Sequence, residues 1–509
     1  MQRDKSEFKT LLIGFYNFKA LGVKYLAQHL QAAGYPADIV FFKKFQSNDM
    51  RMPSNKEFDF ILDFIERNDY NLIGFGVMSS LYLWAVIELH KRIKARFPDK
   101  TVVWGGVIAS LLPEKCLEHA DLLMRGESEH TFVELVDALA NGQAWQNIDN
   151  VGYLNQQNEM VLNPLRNLVH DLDSLGYPIT GGDNVWFINN DEMIHCDPQI
   201  TDYSFELTAS RGCPFVCSYC ASINIRRLYK GQEFVRFRSV DSVMQELVEA
   251  KERMKGLRIV RFWDEIFSDD PGWIEQFCRE YKEKIGLPFE IWGHPLKVSD
   301  SLISPLVEVG LSKIVVGIQS GSPRIRRNIF HRPEKNEQIV ECSKVLARCK
   351  VPEVIYDFIL DDPFETDEDY RQTFELCLEL EPPFELQLHG LSFLPATDVV
   401  DIAVKEGVKP REEIEREQNA PLEDQYRAMY WWAWGRGSKN SDMAMFWIPL
   451  IFFTQVPWLK NWARRAANSD FYRKHVEILQ IIQKLMNLYL RGTRGIRRLL
   501  VVLGLRKHY

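Results

Sequence analysis

The chain has 509 residues, 46% of them apolar and 26% charged, with a net charge of -8. These are ordinary globular values that exclude a disordered or fibrous chain, and the length suits roughly three or four domains. The acidic balance argues against a nucleic-acid partner, because phosphate binding needs a basic footprint. The N-terminus, MQRDKSEFKTLLIGF, has acidic residues and no long apolar core before a small-residue cleavage site, so a cytoplasmic location is expected. The nine cysteines are scattered apart from one cluster. In a reducing compartment such a cluster is more often a metal or redox site than a set of disulfides.

Residues 10–15, 37–42, 72–77, 101–104 and 122–124 read as short apolar strands, with helical sequence at 22–33 and around 81–97. This alternation predicts an α/β chain whose residues 1–145 form a doubly wound, Rossmann-like parallel sheet, with ligands beyond the carboxyl ends of the strands. Those ends carry Gly14, Gly74, Gly76, Ser79, Gly105, Gly106 and Gly126. Residues 146–200 are polar and rich in Asn, Asp, Gly and Pro, and read as a linker with short strands. Residues 201–400 alternate again, with strands expected at 204–210, 258–263, 289–292, 313–318, 354–359 and 385–393. Six such strands suit a partial (β/α)6 barrel of TIM type. Residues 401–509 are helix-prone, Trp-rich and finally basic, and form a helical C-terminal domain in this reading.

The cysteine cluster is Cys213-Pro214-Phe215-Val216-Cys217-Ser218-Tyr219-Cys220, with C-x3-C-x2-C spacing. Three thiolates this close in a loop must converge on something. A structural zinc site would want a fourth Cys or His, and none follows within the next turns. A [4Fe–4S] cluster held by three cysteines leaves one iron open for an amine and a carboxylate. Zinc, or three unrelated buried cysteines, is the competing reading.

With an aromatic residue just before its last Cys, this segment resembles the radical S-adenosylmethionine superfamily. The resemblance implies that Cys213, Cys217 and Cys220 hold a [4Fe–4S] cluster and that Tyr219 lies against the adenine. It implies that the reduced cluster passes one electron to the sulfonium, giving methionine and a 5′-deoxyadenosyl radical. The cofactor carries that chemistry, and the protein positions and shields it. The later strand ends support the match. Asp264 and Glu265, in Phe262-Trp263-Asp264-Glu265, resemble the second-strand motif that receives the methionine amino group. Gly317-Ile318-Gln319-Ser320-Gly321-Ser322 resembles the fourth-strand motif, with Gln319 in place of the usual Glu, so that a ribose contact is made by an amide. Ser320 is the adjoining candidate contact. Pro363, Glu365 and Thr366 match the fifth-strand motif, whereas Asp361 stands where glycine is usual. His294, at the end of strand three, reads as a structural histidine.

The N-terminal domain lacks the G-x-G-x-x-G of a dinucleotide site. Gly74-Phe75-Gly76-Val77-Met78-Ser79, then Gly105-Gly106, then Arg125-Gly126-Glu127-Ser128-Glu129 resemble a cobalamin-binding domain. The resemblance makes Gly76, Ser79, Gly105, Gly106, Gly126 and Glu127 candidate cobalamin contacts. The D-x-H-x-x-G motif that supplies a lower histidine ligand is missing, so the cobalt has no protein imidazole below it.

Together the two domains imply a radical methyltransferase acting on an unactivated carbon of a small molecule. A radical cyclase or rearrangement enzyme is the alternative within the superfamily, and a non-catalytic iron–sulfur redox protein the alternative outside it. An external one-electron reductant such as flavodoxin or ferredoxin is implied. The C-terminal apolar runs at 429–434 and 445–453 and the basic tail of Arg491, Arg494, Arg497, Arg498, Arg506 and Lys507 read either as a helical cap or as a lid for a lipid-like substrate with peripheral membrane contact.

Overall fold

The computed structural model describes residues 4–17, 20–44, 51–178, 180–429 and 442–502. The run at 429–434 beyond Met429, together with Arg506 and Lys507, lies outside the described residues.

The N-terminal strands are β1 (Thr10–Phe15), β2 (Ala37–Phe42), β3 (Leu72–Gly76), β4 (Thr101–Gly105) and β5 (Leu122–Met124). They pair in parallel in the order β5-β4-β3-β1-β2, as a doubly wound sheet requires. Alternation along β1 explains the two faces. Leu11, Ile13 and Phe15 join one apolar cluster with the helices Asn55–Asn68 and Leu83–Arg96, while Leu12 joins another with the helices Leu21–Ala32 and Glu129–Ala140.

The segment expected to be a linker contains four strands, and all of them belong to this sheet. β6 (Val151–Leu154) and β7 (Met160–Leu162) extend it antiparallel beyond β5. β8 (Val185–Asn189) joins β2 in parallel, and β9 (Glu192–His195) closes that edge. The polar composition reflects edge strands and turns: Asn150, Asn158, Asn190 and Asp191 all take positive φ.

The second sheet contains β10 (Ser204–Leu207), then β13 (Ile259–Phe262), β14 (Phe289–Gly293), β15 (Leu311–Gln319), β16 (Glu353–Leu360) and β17 (Glu385–Gly390). All six run parallel in sequential order. The first expected strand, 204–210, is broken. Ser210–Arg211 forms β11, which pairs antiparallel with β12 (Arg236–Phe237) in a separate ribbon.

The helix Asp442–Phe453 is buried along nearly its whole length and shares the barrel's core. It lies against the helix Asp367–Glu379, and Trp447 Nε1 donates to Asp367 at 2.8 Å. The apolar run at 445–453 is therefore a structural cap and not a lid: its side chains are already packed. The C-terminal helices also guard β17. Leu386 N–H donates to Gln455 at 3.1 Å, and Arg494 lies 3.1 Å from Glu385. An uncovered edge strand would invite pairing with another chain.

Candidate active site

The cysteine loop follows β11. Gly212 opens it with φ +93°, and a Cβ there would meet the Phe234 carbonyl at 2.2 Å, so only glycine passes. Cys220 N–H donates to Cys217 O at 3.1 Å. Ser218 anchors the loop from beneath, its N–H donating to Phe330 O at 3.1 Å and its hydroxyl to Ile329 O at 2.5 Å.

The thiols of Cys213, Cys217 and Cys220 are half-buried and unbridged, and they lie close enough to feel one another's charge. Burial, with Glu265 adding to it, pushes Cys213 up to about 11 and Cys220 up to about 12. A cationic centre bound among them would reverse that penalty, since coordination deprotonates a thiol. Among the described residues no three His, Cys, Asp or Glu are gathered tightly enough for a single metal ion. Three thiols in one short loop, with no fourth Cys or His within the next turns, fit a four-iron cluster that keeps one iron open.

Arg332, which belongs to no sequence motif, organises the loop. It is buried. Its guanidinium donates to Cys217 Sγ at 3.8 Å, Tyr219 Oη at 3.1 Å, Gly317 O at 2.6 Å and Glu334 at 2.6 Å. Burial opposes the charge of Glu334, but His294 and Arg332 hold its carboxyl down at about 2. His294 Nδ1 accepts from Leu296 N–H at 3.2 Å, and its ring stacks on Phe215 at 3.7 Å. Its Nε2 lies 3.4 Å from Glu334 Oε2. Tyr219 packs edge-on against Phe330 at 5.2 Å.

The strand-end residues divide. Asp264 is 3% exposed and accepts from Ala209 N–H at 3.0 Å and from the Ser210 hydroxyl. Burial pushes its carboxyl up to about 6. Its oxygens hold the chain between β10 and β11. Glu265 is different. It is solvent-accessible yet hemmed in by protein, which raises its pKa, and its field reaches Cys213 and Cys220. Beside it, exposed Trp263 stacks on Trp292 at 4.4 Å.

Ser320 also serves the fold. It is fully buried, and its hydroxyl accepts from Ser322 N–H at 3.2 Å and lies 3.4 Å from Thr373 Oγ1. A Cβ on Gly321 would meet Thr373 Cα at 2.3 Å. The S-G-S segment therefore clips the end of β15 to the helix Asp367–Glu379. Gln319 stays half-buried with φ +70°. Asp361, standing where the family motif has glycine, takes φ +63°, so the backbone keeps the left-handed shape that glycine favours.

In the N-terminal domain, most of the candidate glycines serve the fold. A Cβ on Gly76 would meet Val23 at 2.8 Å, and one on Gly106 (φ +95°) would meet Val77 O at 2.8 Å. Gly126 (φ +66°) lies under Tyr229, whose hydroxyl would be 1.9 Å from an added Cβ. Ser79 Oγ accepts from Leu81 N–H at 3.2 Å and caps a short turn. Gly105 has no positive φ, and a Cβ there would meet nothing closer than 3.4 Å. Its small size is therefore unexplained by internal packing, which suits close approach of a ligand. Arg125, at the end of β5, has a buried Nε without a hydrogen-bond partner.

Glu127 links the two halves of the chain. Its carboxylate binds Arg236 through both oxygens, at 2.6 and 2.9 Å, and lies 3.4 Å from Arg211. Glu129 binds Arg211 at 2.7 Å. Burial opposes ionisation of Glu127, but the hydrogen bond from Arg236 and the charge of Arg211 hold its pKa down. Arg211 precedes Gly212-Cys213 directly. The segment read as a cobalamin contact thus clamps the N-terminal sheet to the cysteine loop. Nearby, the helix Val107–Leu111 after β4 touches the helix Ser222–Leu228 after the cysteines.

A doubly wound domain clamped to a parallel half-barrel that carries three free thiols in one loop defines a class. Residues 207–377 match the family model of the radical SAM superfamily, and residues 15–136 that of the B12 binding domain; together they span more than half of the chain. An uncharacterized methyltransferase of Pyrococcus horikoshii is 26% identical over 337 residues, 64% of this chain and 67% of that protein. The anaerobic magnesium-protoporphyrin IX monomethyl ester cyclase of Rubrivivax gelatinosus is 23% identical over 383 residues, 72% of this chain and 63% of that protein. The structure of OxsB, a cobalamin-dependent S-adenosylmethionine radical enzyme, aligns with 98% of this chain and 82% of that chain at a TM-score of 0.64 and 12% identity, a likeness of fold. The chain belongs to the radical SAM superfamily, among the enzymes that carry a B12-binding domain. Its cofactors are a [4Fe–4S] cluster, S-adenosylmethionine and cobalamin.

Proposed function

We propose that the protein is a cobalamin-dependent radical methyltransferase that modifies an unactivated carbon of a small molecule and draws electrons from a flavodoxin- or ferredoxin-type donor. The observation that carries this reading is the clamp of Glu127 and Glu129 on Arg211 and Arg236, which sets the B12-binding domain against the cysteine loop. When bound, the cluster with S-adenosylmethionine supplies a carbon-centred radical, and cobalamin supplies a transferable methyl group.

The chain's own residues hold and orient. Cys213, Cys217 and Cys220 hold the cluster, and Arg332 fixes the Cys217 and Tyr219 side chains. In this reading Glu265 receives the amino group of S-adenosylmethionine, Gln319 meets its ribose, and Tyr219 lies beside its adenine. Gly105 and Arg125 are the residues best placed for cobalamin, and Ser79 remains a candidate through its hydroxyl proton.

Anaerobically purified protein, supplied with cobalamin, S-adenosylmethionine and dithionite, tests this reading. Retained cobalamin, with 5′-deoxyadenosine and S-adenosylhomocysteine both formed, supports methyl transfer. A cyclase is the second reading, favoured by the Rubrivivax relative that aligns with 72% of this chain. It would give 5′-deoxyadenosine and no S-adenosylhomocysteine. Failure to retain cobalamin would overturn both readings.

A further inference from the structure

The helix Val476–Val502 packs one side against the helix Asp442–Phe453. Its other side carries Ile481, Leu485, Leu488, Tyr489, Ile496 and Leu499, each more than half exposed. At 100° per residue these six fall in one stripe about 100° wide, running about 27 Å along the helix. Gly492 sits within the stripe, so no polar side chain interrupts it there. Lys484 and Arg491, both exposed, flank it along one side. No Asp or Glu occurs after Glu477. From residue 457 onward there are twelve Lys and Arg against two Asp and Glu, in a chain whose net charge is -8. Trp458 and Phe471, on the two preceding helices, are also more than half exposed.

A long exposed apolar stripe needs an occupant. A second copy of the same helix would bring Lys484 and Arg491 against their own kind, with no carboxylates to pair them as a helix-to-helix seam requires. A spanning segment is also ruled out, because among the described residues no helix is long and apolar enough to cross a membrane. The charge instead complements an anionic surface.

We propose that this face docks on anionic phospholipid, with the stripe at the level of the upper acyl chains and Lys484 and Arg491 among the headgroup phosphates. The net negative charge of the rest of the chain favours this face over the others at a negative surface. The proposal concerns location and stands independently of the methyl-transfer reading.

The test is flotation of the full-length, cofactor-loaded enzyme with vesicles of phosphatidylcholine alone, or with one part in four phosphatidylglycerol. The enzyme co-floats with the anionic vesicles only, and added salt weakens binding. Leu485→Glu with Leu488→Glu abolishes it, while Lys484→Gln and Arg491→Gln each lower partitioning about five-fold. These positions are exposed, so the melting temperature and the yield of 5′-deoxyadenosine in solution stay unchanged. No flotation of the wild-type enzyme with anionic vesicles overturns the proposal, as does equal binding to both vesicle types. A wild-type dimer without vesicles that Leu485→Glu with Leu488→Glu makes monomeric assigns the stripe to a second copy and overturns it too.

Discussion

Removing the Glu127 carboxylate isolates the energetics of the domain clamp. Arg236 is nearly buried, with its side chain 3% exposed, and besides Glu127 its Nη1 donates to the Val169 carbonyl at 2.6 Å. In Glu127→Ala the guanidinium keeps that carbonyl but loses its counter-charge. Breaking a buried pair by deleting one partner costs about 3–5 kcal/mol. Glu127 retains 18% side-chain exposure, so water can reach the gap, and the low end, about 3 kcal/mol, is expected. In urea, at about 3 kcal/mol per molar for a large chain, this moves the midpoint down by about 1 M. The readout is tryptophan fluorescence of the cofactor-free protein, so that ligand binding does not enter. Arg236→Ala alone should cost a similar amount, and the double variant little more than either single one. Additive losses in the double variant would refute the pair as the source of the stability. The sign with pH also follows. The Glu127 pKa is held below its usual value, so its contribution is full above the ordinary glutamate range and fades as pH falls through the folded-state value.

Three further outcomes are expected. Gly126→Ala forces a Cβ to 1.9 Å from the Tyr229 hydroxyl at a positive φ, costing about 2–3 kcal/mol, and Tyr229→Phe in the same chain restores part of the loss in urea unfolding. Asp369 accepts from Ser322 at 2.5 Å and Arg324 at 2.6 Å, and these bonds outweigh burial to hold it at about 2. It therefore contributes up to about 2 kcal/mol above pH 4 that is lost toward pH 2, and Asp369→Asn should remove that slope from an acid titration of stability. Cys217→Ala should abolish iron–sulfur absorption and 5′-deoxyadenosine formation together while leaving the far-ultraviolet circular dichroism unchanged. Normal absorption in that variant would remove Cys217 from the ligand set.

The fold was legible where hydrophobic periodicity was strong. β1, β2 and β5 begin and end at the expected residues because their apolar runs stop at turn residues. The edges of the first sheet were less legible, since β6 to β9 are only three to five residues long and are set among polar turns, so the composition of the whole segment resembles a linker. At the site, the cysteines announced themselves by spacing. Asp264, Ser320 and Glu127 could not be assigned from type and position, because a carboxylate or hydroxyl at a strand end serves the backbone or a neighbouring arginine as readily as a ligand. Arg332 lies 112 residues beyond Cys220, and no local pattern connects them.

Gly126 shows what a short motif can record. Its missing side chain is dictated by a tyrosine 103 positions away, in the element that follows the cysteines. The two halves of the chain therefore meet here as interacting partners do. A side chain added at position 126 is tolerable only where residue 229 leaves room for it. A B12-binding half that brings a larger residue to position 126 should therefore need a smaller residue at 229.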